Sequence, residues 1–303
     1  MQIVGKTRPA LTPWLNHGWQ VPLYVNARGL GSSTIPVGGG IVEIDFDLVA
    51  HRLVIRSSHA PERGFALVPM SVAAFYRRFM AELAAIGVEV SIETMPNEVP
   101  EPICFPDDET HAAYDAVAAH TYWRALLTID RVFRLYRTAF LGKASPVHLF
   151  WGAFDLAVTG FSGRLAPLHP GGVAGLPDDV TREAYSHEVS SAGFWPGNDQ
   201  YPLAAFYAYA YAAPPGFAEA KVKPPEADWS ATMGQWLLPY EAVRGTRDPE
   251  ATLMRFLQST YRAAAGLAQW DPALDCALGV PGVPRAVGGG QNLSLAKRAR
   301  TDA

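Results

Sequence analysis

The pattern of apolar and polar positions predicts a β-hairpin in the first part of the chain. Across residues 41–57, Ile44, Phe46 and Leu48 alternate with three acidic residues. Because successive strand side chains point to opposite faces, this alternation predicts a strand with one buried face. We expect the hairpin to turn near Ala50.

A different period, with apolar residues three and four positions apart, predicts three helices. The first lies between Ser71, a suitable N-cap, and Gly87, a suitable C-terminal residue. The second extends over residues 114–141, where the apolar spacing persists for many turns. The third begins at the Asp248-Pro249 pair, because aspartate favours the N-cap and proline the first helical position.

Strands and helices together predict an α+β fold with two similar halves. Short β-prone runs predict further strands over residues 21–25, 88–94, 147–161, 185–191, 206–211 and 236–238. A Leu-Val-Pro or Leu-Leu-Pro triplet precedes an amphipathic helix in both halves, at positions 67–69 and 237–239. We interpret residues 1–280 as one α+β domain, with a natural pocket in the cleft between the halves.

Two pseudo-repeats are one way to divide this domain. They would span residues 15–110 and 145–270, each with antiparallel strands closed by an amphipathic helix, and the long helix over 114–141 would lie between them. From about residue 281 the chain becomes rich in Gly, Ser, Lys and Arg, which predicts a disordered tail over 281–303.

Composition and charge narrow the class of protein. The chain has 303 residues, 49% of them hydrophobic and 18% charged, which is typical of a globular protein. Its net charge is −4 and no dense basic run precedes the tail, so we expect no nucleic-acid partner. No continuous apolar run is long enough for a signal peptide or a membrane span, so we expect a cytoplasmic protein. The oligomeric state is left open.

The segment from Ser145 to Gly197 has the highest density of candidate functional side chains. The candidate side chains in it are His148, His169, His187, Trp151, Trp195, Arg164, Asp155 and Glu188. Each buried polar group needs a partner. A concentration of polar side chains in one segment therefore indicates a functional site rather than packing alone. No catalytic signature motif accompanies them.

The leading hypothesis is an enzyme that acts on a small organic substrate by histidine acid–base chemistry. His148 and His187 would meet if their strands were antiparallel neighbours, and Asp155 or Glu188 would orient them. Arg164 would bind an anionic group, and aromatic side chains would form the walls. The residues expected to bind the substrate are Arg164, Trp151, Trp195, Tyr207, Tyr209, His17 and Arg28.

Two other functions remain open from the sequence. His148, His187 and His169 suit a divalent metal with open positions, which would make the protein a metal-dependent enzyme. Alternatively, the tyrosines at alternate positions 207, 209 and 211 would form the contact surface of a non-catalytic binding or assembly protein. The histidines would then be ordinary structural residues.

Three segments resemble a bacterial family known as domain-of-unknown-function family 5996. They are LNHGWQVPLYV at 15–25, SPVHLFWGAFD at 145–155 and YSHEVSSAGFWPG at 185–197. The resemblance covers nearly everything before the tail and implies one architectural unit. It brings no catalytic residues with it.

Overall fold

The protein combines two antiparallel β-sheets with helices, which confirms the predicted α+β class. The computed structural model describes residues 1–198 and 201–276, and each sheet in this part has six strands. The predicted tail over 281–303 lies outside the described residues.

The first sheet is formed by the N-terminal part of the chain. Its strands are β1 Tyr24–Asn26, β2 Gly29–Gly31, β3 Ile35–Val37, β4 Gly40–Asp47, β5 Arg52–Ser57 and β6 Arg63–Ala66. The order is β1-β2-β4-β5-β6, and β3 also pairs with β4. The pairing of Asp47 with Arg52 closes the β4–β5 hairpin around Ala50, which confirms the predicted turn.

The second sheet follows the long central helix. Its strands are β7 His148–Phe150, β8 Asp155–Leu165, β9 His187–Trp195, β10 Ala205–Tyr211, β11 Asp228–Ser230 and β12 Gln235–Pro239. Their order is β11-β12-β10-β9-β8-β7. The strand β7 therefore lies at one edge, and β8 separates it from β9.

The helices confirm the three amphipathic segments. They are α1 Gln2–Gly5, α2 Thr7–Leu11, α3 Val72–Ala85, α4 Ala116–Arg137, α5 Asp178–Ala184, α6 Tyr240–Arg244 and α7 Pro249–Leu267. The Ser71 side chain accepts a hydrogen bond from the backbone of Ala74, and Asp248 does the same for Ala251, as expected of N-caps. The helix α4 contacts both sheets and α7.

The strand predicted over residues 88–94 is wrong. That segment has no helix or strand, although Val88 and Ile92 are both buried. The alternation of apolar and polar residues in this segment agrees with the burial of these two side chains. No neighbouring strand forms the backbone hydrogen bonds with it that a sheet needs.

The two faces of the second sheet differ in what covers them. On one face, Leu156, Phe194, Phe206 and Leu238 lie directly opposite one another across four strands. We call this the helix face, because α4 and α7 pack on it and Tyr122 of α4 stacks on Phe194 at 6.1 Å. The next row, Ala157, Gly193, Tyr207 and Leu237, belongs to the opposite face. We call that side the loop face, because Tyr209 and Tyr211 on it form hydrogen bonds with Tyr185 and with the Pro167 carbonyl, both in the connection between β8 and β9.

The two sheets join at their edges. Leu23, just before β1, exchanges two backbone hydrogen bonds with Leu149 of β7, at 2.9 and 2.7 Å. One large cluster of buried apolar side chains includes residues from both sheets. None of the helices in the described part of the chain is both long and apolar enough to cross a membrane.

Candidate functional site

A buried carboxyl group and a tyrosine meet on the loop face. Asp155 begins β8 and Tyr207 lies on β10, so β9 separates them. Gly193 of β9 lies between them, and a Cβ atom there would come within 2.2 Å of the Tyr207 ring. Because glycine has no side chain, the Tyr207 ring crosses β9 and its hydroxyl donates a hydrogen bond to Asp155.

A second polar row extends this cluster along the loop face. The Thr159 and Ser191 hydroxyls lie 2.8 Å apart, and Ser191 also bonds to Tyr209. Tyr185, which directly follows α5, donates a hydrogen bond to the Tyr209 hydroxyl at 3.0 Å. Buried hydroxyls satisfied by one another in this way form a rigid network beside Asp155.

Glu98 approaches the same cluster from the loop after α3. Its Oε1 lies against Gly152 in the β7–β8 turn, where a Cβ atom would be only 2.1 Å away. The neighbouring Asn97 side chain donates to the Gly175 carbonyl at 2.9 Å, which ties this loop to the one before α5. The Glu98 residue as a whole is exposed, but its carboxyl end lies against Gly152 and is close enough to Asp155 for the two charges to interact.

Both carboxyl groups have pKa values close to neutrality. Burial raises the pKa of Asp155 from 3.8 to about 6, and the hydrogen bond from Tyr207 opposes this rise. Burial, followed by the charge of Asp155, raises the pKa of Glu98 from 4.5 to about 7. Two neighbouring carboxyls with separated pKa values near 7 are suited to act as an acid and a base. We call Asp155, Glu98 and Tyr207 the carboxyl site.

His148 and His187 do not meet, contrary to the hypothesis from the sequence. His148 lies opposite Ala157 on β8, whereas His187 lies opposite Leu165, eight residues further along that strand. At about 3.3 Å per residue the two histidines are more than roughly 20 Å apart. The hypothesis assumed that β7 and β9 were neighbours, but β8 lies between them.

Arg164 and Glu188 form an ion pair away from the carboxyl site. Two guanidinium nitrogens of Arg164 bond to Glu188 at 2.9 and 2.7 Å, and Arg164 also donates to the Ala268 carbonyl at the end of α7. Glu188 points to the opposite side of β9 from Ser191, since strand side chains alternate. The two side chains therefore pair with each other, and Arg164 ties them to the C-terminal end of α7, away from the carboxyl site.

The aromatic wall predicted from the sequence is assembled only in part. Trp195, Tyr207 and Tyr209 pack in one cluster on the loop face, as the alternation of the tyrosines predicts. Trp151 instead donates its indole N–H to the Val21 carbonyl at 3.0 Å and packs on Gly5, near the N-terminus. Arg28 lies in the turn between β1 and β2 of the first sheet, paired with Asp47 at 2.6 Å, and is not part of this site.

His17 lies at the far end of the loop face, beside His187. Its ring is 4.4 Å from Phe161 and 5.7 Å from His187. Burial is the main reason that the pKa of His17 is lowered, and the positive charge of Lys143 adds to the effect. This is a separate aromatic contact and not part of the carboxyl site.

The three histidines expected to bind a metal are apart from one another. His169 stacks between Tyr185 and Tyr211, each at 5.0 Å, and its Nδ1 accepts the Gly171 N–H. Within residues 1–198 and 201–276 no group of three or more His, Cys, Asp or Glu side chains is arranged to hold a metal ion. The metal-ligand set His148, His187 and His169 is therefore wrong in geometry.

A cleft also opens on the helix face, between the C-terminal parts of α4 and α7. It is lined by Tyr136, Arg137, Ala139, Phe140, Ala144, Val158, Gly160, Gln258, Tyr261 and Arg262. These described lining residues include no carboxylate and none of the catalytic, substrate-binding or metal-binding residues predicted from the sequence. The cleft and the carboxyl site are on opposite faces of the sheet.

Sequence reasoning missed Glu98 and the residues of the hydroxyl network. Glu98 lies in a Pro-rich connector without periodicity, so no pattern marks it. Gly193 offered a usable signal, because a lone glycine inside an apolar strand often marks a close approach by another group. Asp155 alone among the four predicted catalytic residues lies in the carboxyl site.

Comparison with known proteins assigns the family. The family of unknown function DUF5996 matches residues 1–276, and the chain belongs to this family. No curated protein and no solved structure matches the chain. The family assignment agrees with the resemblance of the three segments described above.

Proposed function

We propose that this protein is an enzyme that transfers a proton to or from a small organic substrate, with Asp155 and Glu98 as its acid–base pair. The observation that supports this proposal is the buried Asp155–Tyr207 contact beside Glu98, with both carboxyl pKa values raised to about 6 and about 7. Structural carboxylates are usually paired with cations, which lowers their pKa values instead.

The two carboxyl groups have different roles in this proposal. Asp155, with a pKa of about 6, is mostly ionised at pH 7 and acts as the base. The Tyr207 hydroxyl fixes its orientation. Glu98, with a pKa of about 7, is about half protonated at that pH and is exposed enough to exchange its proton with solvent. The chemistry is the acid–base class expected from the sequence, but carboxyls replace the histidines.

A direct titration tests the observation without any substrate. Carbon-13 NMR of labelled side-chain carboxyls is followed from pH 4 to pH 9 in the wild type and in Asp155→Asn. We expect the Asp155 and Glu98 signals to titrate near pH 6 and pH 7, and Glu98 to move back toward 4.5 in the variant. Ordinary values for both groups in the wild type would refute the proposal.

Activity is tested by exchange of substrate hydrogens with D2O. A panel of small carboxylic acids, phosphorylated sugars and neutral metabolites is incubated with the protein, and incorporated deuterium is measured by mass spectrometry. We expect incorporation that Asp155→Asn reduces at least a hundredfold, since general acid–base groups contribute about 10²–10⁴-fold. Glu188→Gln, on the helix face, is the matched control and should retain the rate; loss of activity in the control alone would contradict the assignment.

A further inference from the structure

A second group of buried polar side chains lies where the two sheets join. The Leu23–Leu149 pairing places the next residues, Tyr24 and His148, opposite each other. The Arg8 guanidinium from α2 lies 5.6 Å from the centre of the Tyr24 ring, and its Nε donates to the Gln20 carbonyl at 2.6 Å. Arg8, Gln20, Tyr24 and His148, which we call the joint cluster, therefore come together from three segments.

Three nitrogen atoms in the joint cluster have no hydrogen-bond partner within the described protein. They are Arg8 Nη1, Gln20 Nε2 and His148 Nδ1, and each is fully enclosed. The parent residues are 6%, 2% and 1% exposed. Buried polar nitrogens are nearly always bonded, so three unpartnered ones in one cluster indicate that polar groups from outside the chain complete the arrangement.

The charge of Arg8 strengthens this conclusion. No carboxylate of the described residues lies within ion-pair distance of Arg8. Lys6, the neighbouring buried cation, shows the usual arrangement: it pairs with Glu93 at 3.1 Å and donates to the Met95 carbonyl. A buried guanidinium without a counter-charge is strongly unfavourable, and a planar oxyanion is its natural partner.

His148 suits the same ligand. Burial, and then the positive charge of Arg8, lowers the pKa of His148 to about 3, so the ring is neutral at pH 7. A neutral imidazole with its proton on Nδ1 donates one N–H from that atom, and Gln20 donates two from its amide. The free groups of the cluster therefore consist of a cation and neutral donors, which match an anionic oxygen group and not a metal ion.

The joint cluster lies on the same sheet face as the carboxyl site. His148 is directly opposite Ala157, and Asp155 is two residues from Ala157 on the same face. Such diagonal neighbours have Cβ atoms about 7 Å apart. An anionic group bound by Arg8 would hold the adjacent carbon atoms of a small molecule near Asp155.

We propose that Arg8, Gln20 and His148 bind the carboxylate or phosphate group of the substrate, so that the substrate is a small organic anion. This inference rests on the proposed acid–base function, because that function makes the anion part of a substrate. The sequence hypothesis gave this role to Arg164, which is already paired with Glu188.

Binding of inorganic phosphate and of acetate to the purified protein tests the inference. Calorimetric titration at constant ionic strength, with chloride as the reference anion, gives an affinity for each. We expect saturable binding of at least one anion, weakened at least tenfold in Arg8→Met and in Gln20→Leu. Tighter phosphate binding identifies a phosphorylated substrate, and tighter acetate binding identifies a carboxylic acid.

The controls separate this inference from the proposed function. Lys6→Met removes a neighbouring buried cation and should leave anion binding unchanged, whereas equal losses in Lys6→Met and Arg8→Met would contradict a specific site. The Asp155→Asn variant should reduce deuterium exchange at least a hundredfold and should still bind the anion. Absence of saturable binding in the wild type, or undiminished binding in both Arg8→Met and Gln20→Leu, would overturn the inference, whatever the exchange assay shows.

Discussion

The raised pKa of Asp155 predicts an unusual pH dependence of stability. Asp155 holds its proton more tightly in the folded protein, with a pKa of about 6, than in the unfolded chain at 3.8. The folded state therefore binds more protons between these values, and the free energy of unfolding falls as the pH rises through them. An ordinary paired carboxylate has the opposite effect.

The size of the effect follows from the two pKa values. A tenfold difference in proton affinity corresponds to about 1.4 kcal/mol, so the rise from 3.8 to about 6 is worth about 3 kcal/mol in total. About 2 kcal/mol of this falls between pH 4.5 and pH 8. Over that interval the wild type should lose at least about 2 kcal/mol of stability relative to Asp155→Asn, whatever constant difference the amide itself introduces. The fall in the Glu98 pKa in the variant adds to this difference with the same sign.

Urea unfolding of both proteins, at half-unit steps of pH between 4.5 and 8, measures this difference. Asp47→Asn is the matched control, because Asp47 is also buried but hydrogen bonds from Arg28, Ala50 and Val49 outweigh burial and lower its pKa. The stability that ionised Asp47 contributes is complete above its unfolded pKa of 3.8. The difference in free energy of unfolding between the wild type and Asp47→Asn should therefore not change with pH in this range. A flat or rising stability of the wild type relative to Asp155→Asn would refute the reasoning.

Three further substitutions, one of them with a matched control variant, test other parts of the structure. Gly193→Ala places a Cβ atom within 2.2 Å of the Tyr207 ring and should lower the free energy of unfolding by about 1–3 kcal/mol. Its control is Gly266→Ala in α7, where the space is open and the free energy of unfolding should rise by up to about 1 kcal/mol. Urea unfolding measures both. Tyr207→Phe removes a hydrogen bond that favours ionised Asp155, so the Asp155 carboxyl should titrate above pH 6 by NMR. Asp248→Ala removes the N-cap of α7 and should cost about 1 kcal/mol, and an unchanged unfolding midpoint would contradict the capping contact.

Local periodicity predicted much of the secondary structure. The β4–β5 hairpin and the helices α3, α4 and α7 appear where the apolar spacing indicated, and Ser71 and Asp248 act as N-caps. The alternation of Tyr207 and Tyr209 correctly placed both on one face of a strand. These features depend on residues close in sequence, so the sequence alone determines them.

The carboxyl site and the joint cluster were decided by tertiary structure. Asp155 was a candidate from the sequence, but its partner Glu98 lies in an irregular connector without periodicity. The anion-binding candidate Arg8 lies in the short helix α2, which the apolar spacing did not predict. His148 and His187 were assigned to strands correctly, yet the insertion of β8 between β7 and β9 separates them. Strand order depends on contacts between residues far apart in the chain, and a single sequence contains no local signal for it. The sequence therefore indicated that acid–base side chains are concentrated in the second sheet. The order of its strands, and the segments that pack on them, determined which of these side chains come into contact.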